Sequence, residues 1–225
     1  RLPVQRATEA RDIVRKIIAY ESRSEIGLWQ TRMAQVADDQ TTGVGDRIFQ
    51  DSRESLIRTV IPPAYDVQKI YLKEIGTGAV TKQHIKKAFT DGALVIEYAG
   101  HGGRDIWADE DILRLPDTVA LRNGTRQPLM VATTCQMNFF DKPEQFGERS
   151  MGEQFLLGQG RGAIAVIGAT RKTFARCNAI FDTFLFPEIT SSDTTEVGRI
   201  LTQAKIMDWI TNQSIICLPG LEQYA

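Results

Sequence analysis

The spacing of apolar residues switches between two periods along this chain, and the switches predict its elements. From about Thr8 to Tyr20, Ile13, Val14, Ile17 and Ile18 recur at helical spacing, with Arg and Lys between them and Glu9 near the start. After a loop with Gly27 and Trp29, Arg32-Met33-Ala34-Gln35-Val36-Ala37 reads as a strand ending at Asp38-Asp39, followed by a Thr/Gly-rich loop through Gly45. Asp46 can cap a second helix through Ile48, Leu56 and Ile57 to about Val60, stopped by Pro62-Pro63. Val67 to Leu72 alternates as a half-buried strand. Thr81 then caps a helix holding Ile85, Ala88 and Phe89, closed by Gly92.

Two apolar runs stand out because each ends abruptly on a reactive side chain. Val95-Ile96-Glu97-Tyr98-Ala99 leads into Gly100-His101-Gly102-Gly103, and Leu129-Met130-Val131-Ala132-Thr133 leads into Thr134-Cys135. The loop after His101 holds Trp107, Glu110 and Asp111, and the loop after Cys135 holds Phe139, Phe140, Asp141 and Phe146. Aromatic-rich loops at one sheet edge suit the walls of a substrate cleft. Glu148 to Leu157 reads as a helix, and Gly162 to Gly168 as a fully buried strand. Helices follow around Phe181, Phe184 and Leu185, and from Val197 to Ile210. Five strands alternating with helices predict a doubly wound, mostly parallel sheet with helices on both faces.

Composition narrows the function by exclusion. In 225 residues there are 27 basic and 28 acidic side chains, a balance with no basic excess for nucleic acid, and no apolar run approaches the length of a membrane span. Three cysteines, an odd count with no C-x-x-C pair, argue against both a disulfide framework and a zinc cage. No metal or cofactor is predicted. The opening Arg1-Leu2-Pro3-Val4 reads as the interior of a longer chain.

Singly, a histidine among glycines is a turn residue and a cysteine ending an apolar strand is inert packing. Together they have a mechanism, because residues just beyond the carboxyl ends of parallel strands share one edge. A thiol activated by an imidazole attacks a carbonyl, while the backbone N–H groups of Cys135 and Gly102 hold the oxyanion, and glycines let the backbone approach a substrate. No G-x-S-x-G elbow or phosphate-binding G-x-x-x-x-G-K-[ST] loop competes with this reading. Gly158 to Gly162 lies between helix and strand, as a helix-ending turn does. His84 reads as a solvated helix residue, and Cys177 and Cys217 as packing residues.

These residues also carry a resemblance. Tyr98 to Gly103, Thr134-Cys135 with its aromatic-Asp loop, and Gly162 to Arg171 resemble the gingipain family of caspase-like cysteine peptidases. Val36 to Asp39, Pro63 to Tyr71, and Gly102-Gly103-x-x-x-Trp107-x-x-Glu110 are most similar to its PorU-type subgroup, the sortases of the type IX secretion system. The resemblance implies a caspase-like three-layer α/β/α sandwich, with residues 1–225 as the caspase-like subdomain of a longer multidomain chain. It implies Cys135 as nucleophile and His101 as general base and acid. A carboxylate after the strand at 32–37 would orient the histidine, a place that Asp39 fits best and Asp38 next, although a solvated Asx turn also explains the pair. Gly102, Gly103, Trp107 and Phe174 are the candidate oxyanion and substrate-binding residues.

The implied substrates are proteins carrying C-terminal secretion signals. The implied partners are a lipopolysaccharide acceptor and other secretion-system proteins, at the cell surface, at the outer membrane or outside the cell. Two alternatives accompany this reading: a gingipain-like endopeptidase that hydrolyses its acyl-enzyme, and a catalytically silent caspase-like module that binds partners through the cleft.

Overall fold

Five strands form one parallel sheet in a computed structural model that describes residues 1–22, 26–40, 47–141, 149–191, 195–212 and 224. They are β1 (Arg32–Ala37), β2 (Asp66–Tyr71), β3 (Val95–Ala99), β6 (Leu129–Thr133) and β7 (Ala165–Gly168), and their order across the sheet is β2-β1-β3-β6-β7. A short hairpin, β4 (Ile106–Trp107) and β5 (Leu113–Arg114), lies in the loop after β3. The helices are α1 (Ala7–Glu21), α2 (Ile48–Thr59), α3 (Leu72–Ile75), α4 (Gly78–Asp91), α5 (Leu115–Ala120), α6 (Met151–Leu156), α7 (Ala175–Thr190) and α8 (Val197–Asn212). From β1 the chain steps outward to β2, then returns to the other side of β1 for β3 and continues to β6 and β7. The order therefore reverses between β1 and β3, the place where open α/β sheets bind ligands.

Alternation along the strands sends side chains into two separate cores. Ala34, Val36, Ile96, Tyr98, Met130 and Ala132 pack against Ile85 and Phe89 of α4 and Met151 and Phe155 of α6. Met33, Val95, Val131 and Ile167 pack on the opposite face against Leu56 of α2, Phe181 and Leu185 of α7, and Ile200 of α8. The result is a three-layer α/β/α sandwich. Its strands are apolar on both faces because both are covered.

The second core contains a buried ionic group. Arg53 of α2 reaches Glu97 of β3 and, at 2.5 Å, Asp182 of α7, all three essentially without solvent exposure. Two carboxylates share one guanidinium. Burial pushes the Asp182 carboxyl up, against the pull of Arg53.

Several boundaries differ from the sequence reading for identifiable reasons. The cap of α4 is Thr77, whose hydroxyl accepts from the Val80 N–H, whereas Thr81 is buried within the first turns and donates its own hydroxyl to the Thr77 carbonyl. Helix α6 starts at Met151 because Ser150 and Glu153 form a reciprocal capping box. Strand β7 is shorter than predicted, since Gly162 sits at φ +76°, still inside the turn that ends α6. That turn also receives Lys16, whose Nζ donates to the carbonyls of Phe155, Leu156 and Arg161 at 3.3, 3.2 and 2.9 Å. Cys177 is disulfide-bonded, which corrects its reading as a plain packing residue. Asp46, Phe146, Cys217 and the segment 214–221 lie outside the described residues.

Removing Arg53 leaves two buried carboxylates with no cation. Arg53→Met is expected to lower unfolding free energy by about 3–5 kcal/mol, and adding Glu97→Gln and Asp182→Asn to recover most of it. Urea unfolding measures both; a loss under about 1 kcal/mol for the single variant would mean that the ionic group is not under strain from burial.

Candidate active site

Register aligns the candidate residues across three neighbouring strands. Ala37 of β1 lies opposite Ala99 of β3, which lies opposite Thr133 of β6. Asp39, His101 and Cys135 each stand two residues beyond that row, in the order acid, imidazole, thiol across the sheet edge. The Asp38 N–H donates to the Ala99 carbonyl at 3.0 Å and carries the β1–β3 ladder one step further.

The turn after β3 is built by close backbone approach. A Cβ on Gly100 would run into the Tyr98 hydroxyl and the Asp38 side chain, so only glycine fits there. The His101 N–H donates to Asp38 Oδ2 at 2.9 Å, and the Tyr98 hydroxyl donates to the His101 carbonyl. Main-chain bonds on both sides of His101 thus hold the residue, while its exposed ring meets Phe49 of α2 edge-on at 5.2 Å between centroids.

Beyond His101 the chain pairs with the β4 segment. The Ala108 N–H donates to the His101 carbonyl at 3.0 Å and the Gly103 N–H to the Ile106 carbonyl at 2.9 Å, with Gly102 opposite Trp107. Those two bonds flank Gly102, which makes it a non-hydrogen-bonded position whose N–H points away from the hairpin. Among the described residues neither the Gly102 nor the Cys135 N–H donates a hydrogen bond, as an oxyanion donor pair requires. Gly103 differs, because its N–H is already committed. The two loops touch: a Cβ on Gly102 would stand 2.5 Å from Thr134 Oγ1, one residue before Cys135.

Cys135 is half-buried and is the free cysteine among the described residues. Its sulfur faces the loop after β7, accepting from the Thr173 N–H at 3.4 Å and lying 3.7 Å from the Thr173 carbonyl. Gln136, at φ +57°, donates its N–H to the Arg171 carbonyl at 3.0 Å, and the Asn138 N–H donates to the Ala169 carbonyl at 2.9 Å. The loops after β6 and β7 are therefore laced together under the thiol. Phe174, 66% exposed at the start of α7, presents a free aromatic face beside them.

Trp107 takes a different place from a cleft wall. It has no solvent exposure and stacks on Tyr98 at 4.3 Å between centroids, with Phe155 behind it. This corrects its reading as a substrate contact: the indole supports the His101 turn from within the core. Phe139 is likewise buried, beneath Arg171, which pairs bidentately with Asp141.

Next to His101 three carboxylates converge. One oxygen from each of Asp38, Asp39 and Glu110 lies within 4.8 Å of the others. Burial pushes the Asp38 carboxyl up to about 7, helped by the charges of Glu110 and Asp39 and opposed by the His101 N–H. Burial, with the charge of Asp38, also raises Tyr98 well above the ordinary phenol range. In the sequence only the resemblance ranks the two aspartates, with Asp39 first. The structure separates them, placing buried Asp38 on the His101 backbone and half-buried Asp39 in the aligned row.

This fold, whose adjacent strand ends here carry a histidine and a cysteine, is that of the gingipain peptidases. The chain belongs to peptidase family C25, whose model matches residues 1–218. A solved structure described only as a protease is similar at a TM-score of 0.78 and 16% identity, over 98% of this chain and 52% of that one. The Arg-specific cysteine proteinase gingipain R is similar at 0.68 and 16%, over 93% of this chain and 49% of its own. The complex of the pro- and mature domains of Porphyromonas gingivalis RgpB is similar at 0.73 and 14%, over 98% and 52%. The chain thus spans about half the length of these structures. No curated protein matches the sequence.

The Asp38 carboxyl generates a pH dependence of stability. With its folded value near 7 and its ordinary value at 3.8, the folded state holds a proton that the unfolded state releases between those values. The contribution is fully present below pH 3.8 and is lost as pH rises through about 7. Relative to Asp38→Asn, the parent chain should lose roughly 4 kcal/mol across that interval, read by denaturant unfolding at stepped pH. Parallel pH profiles for the two proteins would contradict the assignment.

Proposed function

We propose that Cys135 is the nucleophile of a cysteine peptidase and His101 its general base and acid. The observation that carries this reading is the shared register of β3 and β6, which puts both residues two positions past paired strand ends. In the first step His101 takes the thiol proton and the sulfur attacks the scissile carbonyl carbon. The oxyanion is held by the N–H groups of Gly102 and Cys135. Collapse breaks the C–N bond, His101 returns the proton to the leaving amine, and a thioester remains on Cys135. Asp39 fits the role of the carboxylate that orients the imidazole, with Asp38 holding the backbone of the same residue.

The finer reading concerns how the thioester is resolved. Motifs shared with PorU-type sortases, among them Val36 to Asp39 and the Gly102-Gly103 to Glu110 segment, support removal of C-terminal secretion signals from cargo proteins. In that reading an amine on a lipopolysaccharide acceptor displaces the sulfur, and the products are an amide and the free thiol. Other secretion-system proteins are the partners of such an enzyme. A cell-surface or extracellular location fits the disulfide at Cys177, since such bonds persist in oxidising compartments. No helix among the described residues is long and apolar enough to cross a membrane.

A peptidyl acyloxymethyl ketone should label the intact protein at Cys135 near neutral pH. Labelling should vanish in Cys135→Ala and slow by about 10²- to 10⁴-fold in His101→Ala. Equal labelling of all three proteins, read by mass spectrometry, would overturn the peptidase reading in favour of a silent binding module. Supplying a labelled amine during cleavage of a C-terminal signal peptide separates transfer from hydrolysis: amine in the product carboxyl supports the sortase reading, and oxygen from water alone contradicts it.

A further inference from the structure

The Cys135 sulfur lies against Thr173, and the Thr173 hydroxyl meets a buried amide and the Tyr224 hydroxyl. Asn178 of α7, 6% exposed, donates through Nδ2 to the Thr133 carbonyl at 2.9 Å and to Thr173 Oγ1 at 3.0 Å. Its Oδ1 accepts from the Tyr224 hydroxyl at 2.6 Å. Both amide hydrogens and the amide oxygen are used, and the Thr133 carbonyl, which can only accept, fixes which way the amide faces. Tyr224 is itself held by stacking on Phe181 at 4.5 Å between centroids and by a β-bridge to Ala169 just past β7.

We propose that Asn178 is a positioning residue that sets the place of the Cys135 sulfur, acting through the end of β6 on one side and Thr173 on the other. This rests on the reading of Cys135 as nucleophile. Thr133 is the last residue of β6, two positions before Cys135, so the Asn178 bond fixes the carbonyl from which the nucleophile turn departs. Thr173 puts both its N–H and its carbonyl against the sulfur, so the same amide sets the other wall of the thiol's seat. One side chain thereby bonds to both segments at once.

The bridge is chemically specific. A carboxylate at 178 would offer an acceptor to the Thr133 carbonyl and could donate to neither partner. Alanine would leave a buried carbonyl without its donor and free the 173 loop from the strand end. Phe174 follows Thr173 directly, so the same anchor also sets where the exposed aromatic ring begins.

The test uses the intact protein and a peptidyl acyloxymethyl ketone, with the maximal inactivation rate and the half-saturating concentration measured separately. Asn178→Ala and Asn178→Asp should lower the maximal rate about 10- to 100-fold while the half-saturating concentration stays within about twofold, the pattern of a misplaced reacting atom. Thr173→Val should behave similarly, and Thr173→Ser should restore the parental rate because it keeps the hydroxyl. Parental maximal rates in Asn178→Ala and Thr173→Val, with only a lowered melting temperature, would overturn the proposal and leave Asn178 a purely structural residue. If the Asn178 variants do not fold, the Thr173→Val and Thr173→Ser pair decides alone, with equal rates counting against the proposal. Cys135→Ala run alongside separates the two levels: labelling that survives it refutes the nucleophile reading, whereas labelling that it abolishes leaves the role of Asn178 to be decided by the other variants.

Discussion

The parallel register of β1, β3 and β6 is the constraint on which the rest of this structure depends. A parallel strand delivers its carboxyl end to one edge of the sheet, and neighbours in register deliver theirs to the same level. Ala37, Ala99 and Thr133 form that level here, so Asp39, His101 and Cys135, each two positions further on, leave the sheet at the same level from strands spaced about 4.8 Å apart. A slip of a single residue would move the carboxylate, the imidazole or the thiol out of the row. The reversal of strand order between β1 and β3 opens the edge at the same point, leaving Asp38 and His101 to face each other across it.

The two faces of the sheet support that edge by different means. On the α4 and α6 side support is apolar and aromatic: Tyr98 and Trp107 stack, Phe155 backs them, and the Tyr98 hydroxyl emerges from this core to hold the His101 carbonyl. On the α2 and α7 side it is polar. Arg53 ties helix, strand and helix together through Glu97 and Asp182, and one turn away Asn178 ties the end of β6 to Thr173 and Tyr224. Hydrogen bonds to buried carbonyls are directional in a way that apolar contacts are not, which suits the side that carries the thiol.

Much of this was legible because the strands announce their own ends. Arg32 to Ala37 is recovered to the residue, and the runs before His101 and Cys135 stop where small and polar residues begin. Local chemistry misled where two residues offered the same signal. Thr81 reads as the cap of α4, whereas Thr77, a threonine one turn earlier, takes that place, and Gly78 is the first residue of the helix, pressed against the Glu110 carbonyl. Trp107 misled for another reason: a tryptophan between glycines and carboxylates reads as a cleft wall, and its burial comes from Tyr98 and Phe155, which only the folded chain brings to it. Arg53 and Asn178 carry no signal of their own in the sequence, since all but one of these partners are 44 to 129 residues away.

A crystal structure of the intact protein with a peptidyl aldehyde tests the central claim most directly, because the adduct reports nucleophile, oxyanion donors and imidazole at once. The account predicts a bond from the aldehyde carbon to Cys135 Sγ, with the oxygen about 2.7–3.1 Å from the N–H groups of Gly102 and Cys135 and the His101 ring turned toward it. An aldehyde bound elsewhere would contradict the account, as would an adduct on Cys135 whose oxygen meets neither N–H and whose imidazole remains against Phe49.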